Sequence, residues 1–149
     1  MTYKQPPVGL ACWRAHGEAV SLLTFLGLHA DTHTDTYTPT FVSELRRRLF
    51  AYVFNIDKVV TSFQGRPPML SAHYVSPPLP LDIPDAAFLG DEVSLRRAVE
   101  DLDEDGWRTV GNPSTATVIR ARCKLAYIKD QLIGLALSSN RPTSVETLL

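Results

Sequence analysis

The strongest hydrophobic pattern in the chain lies in its first half, between residues 41 and 63. Apolar side chains recur there at three- and four-residue spacing and, at 100° per residue, fall within one arc of about 120°. They are Phe41, Val42, Leu45, Leu49, Tyr52, Val53, Ile56, Val59, Val60 and Phe63. Phe50 and Phe54 add a second apolar flank. The pattern predicts a central helix with this stripe turned toward the core and covered from two directions.

Both ends of this helix carry recognisable signals. Thr40 and Ser43 are candidates for the N-cap, because their hydroxyl groups can accept a free backbone N–H of the first turn. Gly65 can adopt the left-handed conformation that closes a helix. Pro67 and Pro68 then prevent the helix from resuming.

Two further long helices are predicted on either side. The first begins after Pro6 and Pro7 and runs from about residue 8 to residue 28. Its expected inner stripe is Cys12, Ala15, Ala19, Leu22, Leu23 and Leu26. Asn112 and Pro113 open the other, which keeps strict 3,4 spacing over about two and a half heptads. Its expected inner stripe is Val118, Ala121, Leu125, Ile128, Leu132 and Leu135.

A shorter helix is predicted to begin at Asp91 and Glu92, where acidic groups suit the positive end of the helix dipole. Its inner stripe contains Val93 or Leu95, followed by Ala98, Val99 and Leu102. An acidic run ending at Gly106 stops it.

Residues 66–84 hold six of the eleven prolines, which excludes a helix and an inner strand. The segment is also partly apolar, so we expect it to lie in extended form along a surface of the domain. Every periodic segment elsewhere has the helical period. The sequence therefore predicts an all-α domain with a central two-sided helix and no sheet.

Composition excludes several classes of protein. The 149 residues suit one domain, 1–149, and the net charge of −1 provides no field to attract nucleic acid or an anionic membrane. No run approaches 18 consecutive apolar residues, and no secretory leader is recognised. Cys12 and Cys123 are the two cysteines, and their apolar helical settings favour buried thiols over a disulfide.

The central helix and the proline-rich segment together carry a family resemblance. The run E-x-R-R-R-L-F spans Glu44 to Phe50 and is followed by Asp57, by G-R-P-P and by P-L-P at residues 78–80. The motif residues are Glu44, Arg46, Arg47, Arg48, Asp57, Gly65, Arg66, Pro67 and Pro68. Their order and spacing resemble the fungal-specific transcription factor domain, the middle homology region of fungal binuclear zinc-cluster transcription factors. A weaker match lies upstream, between Gly17 and His29.

The resemblance implies a regulatory domain that modulates transcription in the nucleus. In such a protein DNA is bound by a zinc cluster held by six cysteine thiolates. This chain has two cysteines, so zinc and direct DNA binding are expected only of a separate zinc-cluster domain. We therefore expect a fragment, a split gene model or a truncated paralogue. A small effector, a protein partner and a homodimer all remain open as binding partners.

The charged residues of the motif have structural interpretations. Arg46, Arg47 and Arg48 point about 100° apart on a helix and cannot form one patch. Arg47 is expected to face solvent, with its two neighbours flanking the apolar stripe. A carboxylate at the edge of that stripe needs a cationic partner. We predict that Asp57 pairs with Arg66 across the turn at Gly65.

An enzyme is not predicted. The histidines His16, His29, His33 and His73 do not form an i, i+4 pair on one helix. Nucleophile-elbow and phosphate-binding motifs are also lacking. The alternative to a transcriptional role is a helical small-molecule-binding or protein-interaction module not linked to DNA. Its pocket would be lined by Phe50, Tyr52 and Phe54.

Overall fold

A computed structural model of the chain describes residues 8–30 and 39–137. Its helices are α1 (Val8–Phe25), α2 (Phe41–Gln64), α3 (Asp85–Phe88), α4 (Glu92–Glu100) and α5 (Thr115–Leu137), and a single 3-10 turn spans Ala72–Tyr74. Within the described ranges there is no strand, and one isolated bridge joins Leu102 to Arg108. The all-α prediction is confirmed.

The predicted ends of α2 are also confirmed. The Thr40 side chain accepts the backbone N–H of Ser43, and the Ser43 hydroxyl accepts the backbone N–H of Thr40, which is a capping box. At the other end Gly65 has φ +62° and donates its N–H to the carbonyl of Thr61. Both predicted N-cap candidates therefore take part in one cap.

The predicted inner face of α2 was wrong. Six of its ten stripe residues are exposed, among them Tyr52 (60%) and Phe63 (87%). The buried face lies on the opposite side and mixes apolar with charged side chains: Glu44, Arg47, Arg48, Phe50, Ala51, Phe54, Asp57, Lys58 and Thr61. This face can be buried because other segments pair with its charges. The predicted second flank, Phe50 and Phe54, belongs to the buried face, together with Ala51.

The stripe predicted for α5 was wrong for a related reason, and the stripe predicted for α1 was right only at Leu23 among its large apolar side chains. On α1 the buried side chains are His16 and Leu23, whereas Cys12 is exposed. On α5 the predicted stripe is turned outward, and the buried residues are Ala116, Arg120, Cys123, Ala126 and Asp130. Small residues on the buried side of α5 allow it to approach α2 closely. The helix begins at Thr115, two residues after Pro113, and the Thr117 hydroxyl accepts the N–H of Ser114.

Helix α2 packs against both α1 and α5. The main core between them contains Leu23, Leu28, Phe50, Phe54, Leu70 and Ala126. Phe54 lies at its centre, with ring centroids 5.4 Å from Phe50 and 4.8 Å from Tyr127. The central position predicted for α2 is thus correct, although its outer side is left uncovered by the described residues.

A smaller core forms around α3 and α4 and contains Ile83, Phe88, Leu95 and Ala98. Helix α4 begins where it was predicted to begin, and Asp91 is its N-cap, because its side chain accepts the backbone N–H of Ser94. Leu95 faces inward and Val93 is exposed, which decides between the two predicted alternatives. The short helix α3 was not predicted.

The proline-rich segment is extended, as predicted, apart from the 3-10 turn. It passes from the end of α2 back to α3, so it connects the two cores. None of the described helices combines the length and apolar character needed to cross a lipid bilayer. Pro6, Pro7 and His33 lie outside the described residues.

Candidate functional site

The buried polar face of α2 holds the proline-rich segment at two places. We call Asp57 and Lys58, near the C-terminal end of α2, the rear clamp. We call Glu44, Arg47 and Arg48, in its first two turns, the front clamp. All five side chains are buried, and each clamp contacts backbone groups of the extended segment.

In the rear clamp Asp57 acts as a multiple acceptor. Its Oδ1 accepts the backbone N–H of Met69 at 3.0 Å, and its Oδ2 accepts that of Leu70 at 3.1 Å. The Nε2 atom of His16, on α1, lies 2.8 Å from Oδ1. One carboxylate therefore joins α1, α2 and the segment that follows Pro68, with no exposure to solvent.

Lys58 extends this cluster to α5. Its Nζ lies 2.9 Å from Asp57 Oδ2 and 2.5 Å from Asp130 Oδ1, and it also donates to the carbonyl of Leu70. Asp130 in turn accepts the backbone N–H of Ala72 at 2.9 Å. The buried ammonium thus lies between two carboxylates, an arrangement that offsets the desolvation of all three groups.

The predicted pair of Asp57 and Arg66 does not form. Arg66 is exposed, and its guanidinium lies over the ring of Trp13, 5.2 Å from the centroid. Asp57 is instead paired with Lys58, its neighbour in sequence, and with backbone N–H groups. These partners were not predicted, because the prediction considered only an oppositely charged side chain beyond the turn. The proline segment is nevertheless fixed against the helix, as predicted, but by Asp57 together with Lys58 and without Arg66.

In the front clamp Glu44 and Arg48 hold the far end of the segment. Glu44 Oε2 accepts the backbone N–H of Leu81 at 3.0 Å. Arg48 donates to the carbonyl of Ile83 and to Asp85 Oδ1, the latter at 2.8 Å. Its guanidinium also covers the ring of Phe88, 4.1 Å from the centroid. These contacts join α2 to the smaller core.

The three consecutive arginines form no common surface patch, as predicted, because Arg46 is exposed whereas Arg47 and Arg48 are buried in the front clamp. Arg46 is exposed and points toward the carbonyls of Leu26 and Gly27 just after α1, at 3.5 and 3.4 Å. Arg47 was expected in solvent but is buried, with Nη1 at 3.7 Å from Glu44 Oε1. Burial is tolerated because the Glu44 carboxylate is close.

Arg120 of α5 supports the front clamp from the other side. Its Nη1 donates to the carbonyl of Pro80 at 2.6 Å, and its Nη2 donates to that of Asp105. Burial lowers the pKa of Arg120, while nearby carboxylates, led by Asp103 and Asp82, oppose that shift. Arg120 therefore secures the far end of the extended segment to α5.

The aromatic pocket considered from the sequence is not present as predicted. Phe50 and Phe54 are closed in the core, whereas Tyr52 lies on the opposite side of α2, so the three side chains do not face one space. A cavity of about 680 Å³ lies instead between the start of α2, α3 and α4. It is lined by Pro39, Thr40, Phe41, Phe88, Gly90, Asp91, Glu92, Leu95, Arg96 and Val99. Phe41 and Phe88 stack in its wall, with centroids 4.8 Å apart.

A zinc cluster does not fit this chain. Six thiolates are needed and two cysteines exist, one exposed on α1 and one buried on α5. Across residues 8–30 and 39–137 no three His, Cys, Asp or Glu side chains are placed to hold a metal ion. His16 instead contacts Asp57 of the rear clamp.

Comparison with known proteins identifies the family. A model described as the fungal specific transcription factor domain matches residues 9–139. The pyrimidine pathway regulatory protein 1 of Saccharomyces cerevisiae is 26% identical over 123 residues, which are 83% of this chain and 13% of that protein. No solved structure matches. Since the family model covers most of the chain, including both clamps, the chain belongs to the fungal specific transcription factor domain family.

Proposed function

We propose that this chain is a regulatory domain that modulates, in the nucleus, the activity of a DNA-binding segment outside it. The family match over residues 9–139 carries the proposal. The net charge of −1 supports it, and Arg46, Arg47 and Arg48 do not form one exposed basic patch for the phosphate backbone. DNA would be reached only through a zinc-cluster domain elsewhere in the protein.

The cavity beside α4 supports regulation by a small effector. Its wall residue Phe88 is stacked on Phe41 and covered by Arg48, which belongs to the front clamp. A ligand that displaced the Phe41 ring would therefore act on the position of Arg48. Glu92 and Arg96 on its rim pair with each other at 2.7 Å, so the remaining surface favours an apolar or aromatic ligand.

A reporter assay tests the regulatory role. The chain is placed between an unrelated DNA-binding domain and an activation domain, and reporter output is compared with that of the fusion lacking the chain. We expect output to change several-fold at equal protein abundance. Arg48→Ala should remove the effect, whereas Arg97→Ala, an exposed arginine on α4, should keep it. Equal output with and without the chain would contradict the proposal.

The coding sequence upstream of Met1 provides an independent test. We expect an in-frame motif of six cysteines with zinc-cluster spacing. The motif would supply the DNA-binding segment that the proposal requires.

The alternative is a helical small-molecule-binding module with no link to DNA, and the 680 Å³ cavity favours it. The two functions differ in location and in effect on transcription. A tagged chain excluded from the nucleus, together with a silent reporter assay, would favour the alternative.

A further inference from the structure

Helix α5 carries an exposed apolar stripe on the side opposite its contact with α2. The stripe consists of Val118, Ala121, Leu125, Ile128, Leu132 and Leu135. Its five large side chains range from 42% exposed at Leu135 to 58% at Leu132. Isolated exposed apolar residues are common, but a contiguous row of this kind marks a binding surface.

The spacing of the stripe indicates the shape of the partner. Residues that alternate at intervals of three and four form the narrow seam of a coiled coil, and each can insert between residues of a facing helix. From Val118 to Leu135 the seam is about 26 Å long at 1.5 Å per residue. That length accepts one partner helix of about five turns.

The charges beside the seam indicate the chemistry of the partner. Arg122 and Lys129 lie along one edge and Lys124 along the other. Among the described residues none of the three forms an ion pair. The acidic residue of α5, Asp130, is buried against Lys58 on the other side. Lys124 also contacts Trp107, with its Nζ 5.7 Å from the ring centroid, and Lys129 is partly buried. Both edges of the seam are therefore cationic.

These charges disfavour a second copy of the chain as the occupant. In a parallel pair Lys124 of one helix would face Lys129 of the other, and in an antiparallel pair basic edges would again meet. Like charges at such positions select against a pairing. A partner helix with acidic residues at the matching positions would bring opposite charges together.

We propose that the α5 stripe binds an acidic amphipathic helix of a partner protein, with a leucine or isoleucine seam flanked by glutamate or aspartate. This docking would supply the protein contact of the proposed regulatory role. Its test is a binding measurement that needs no transcription, so either proposal can fail without the other.

The probe is a labelled 21-residue helical peptide with Leu and Ile at the seam positions and Glu on both edges. A second peptide has the same seam and Lys on the edges. Fluorescence anisotropy with the full chain should show binding of the acidic peptide about tenfold or more tighter, weakening as salt is raised.

Substitutions on α5 test whether the peptide binds to this helix. Leu125→Lys with Leu132→Lys should abolish binding, and Lys124→Glu with Lys129→Glu should reverse the preference between the two peptides. Val93→Lys, at an equally exposed apolar position on α4, is the matched control and should bind as the wild type. Circular dichroism confirms that each variant remains helical.

Four results would overturn the proposal. They are equal affinity for both peptides, self-association that Leu125→Lys removes, binding only to anionic lipid vesicles, and peptide binding that appears only after residues 138–149 are deleted. The second would identify another copy of the chain as the occupant. The fourth would identify the chain's own C-terminal residues.

Discussion

The ammonium group of Lys58 lies 2.5 Å from the carboxylate of Asp130 and joins the two longest helices of the domain through a buried ion pair. Both residues also bind the proline-rich segment, Lys58 at the carbonyl of Leu70 and Asp130 at the N–H of Ala72. One polar cluster thus fixes three parts of the chain.

Lys58→Met should therefore destabilise the domain strongly, by about 3–5 kcal/mol, because it leaves two buried carboxylates without their cation. Urea unfolding followed by circular dichroism measures the change. Lys129→Met, on α5 and without an ion pair among the described residues, is the control and should change stability by less than about 0.5 kcal/mol. If both substitutions changed the free energy of unfolding equally, the buried pair of Lys58 and Asp130 would not be a specific source of stability.

Asp57→Asn should cost about 3 kcal/mol or more, because the amide cannot accept every hydrogen bond of the buried carboxylate. Arg66→Gln should cost about 1 kcal/mol or less, since Arg66 is exposed where it lies over the ring of Trp13. In double-mutant cycles Arg66→Gln should couple to Trp13→Leu and be additive with Asp57→Asn. A coupling energy between Asp57 and Arg66 would contradict this prediction and support the direct pair predicted from the sequence.

Two glycines should respond to alanine with opposite signs. Gly65 has φ +62° and open space around its α-carbon, so Gly65→Ala should destabilise by about 1 kcal/mol through backbone strain alone. Gly134 lies within α5 with equal space, so Gly134→Ala should stabilise by about 0.5–1 kcal/mol. Thermal denaturation of both variants checks the prediction. A change in stability in the same direction for both variants would contradict the prediction.

Stability should decline in alkaline solution. Burial raises the pKa of Cys123 from 9.0 to about 12, and it raises the pKa of Tyr127 from 10.0 to about 12. Both neutral forms are favoured by folding, so their contribution is complete below about pH 9 and is lost as the pH rises toward 12. Urea midpoints measured between pH 7 and pH 11 should fall. Cys123→Ala should reduce the slope.

The sequence predicted where the helices lie but not which faces they bury. Helix α2 has two apolar arcs, and periodicity does not reveal which of them this chain covers. Glu44, Asp57 and Lys58 resemble surface residues by type, and each has a backbone partner in a segment without periodic pattern. Such contacts depend on how the chain folds back against α2, which the periodicity of the sequence does not show. The caps at Thr40 and Gly65 were predictable because their partners lie within one turn.

The two clamps also differ in how much chain they enclose, which has a consequence for folding. Asp57 reaches Met69 and Leu70 across 12 and 13 residues, whereas Glu44 reaches Leu81 across 37. Closing the longer loop costs about 1 kcal/mol more in chain entropy. We expect the rear clamp to form earlier in the transition state, so φ-values from kinetic unfolding should be higher at Asp57 than at Glu44. The extended segment would then form its contacts with α2 in sequence order, first at Met69 and last at Leu81.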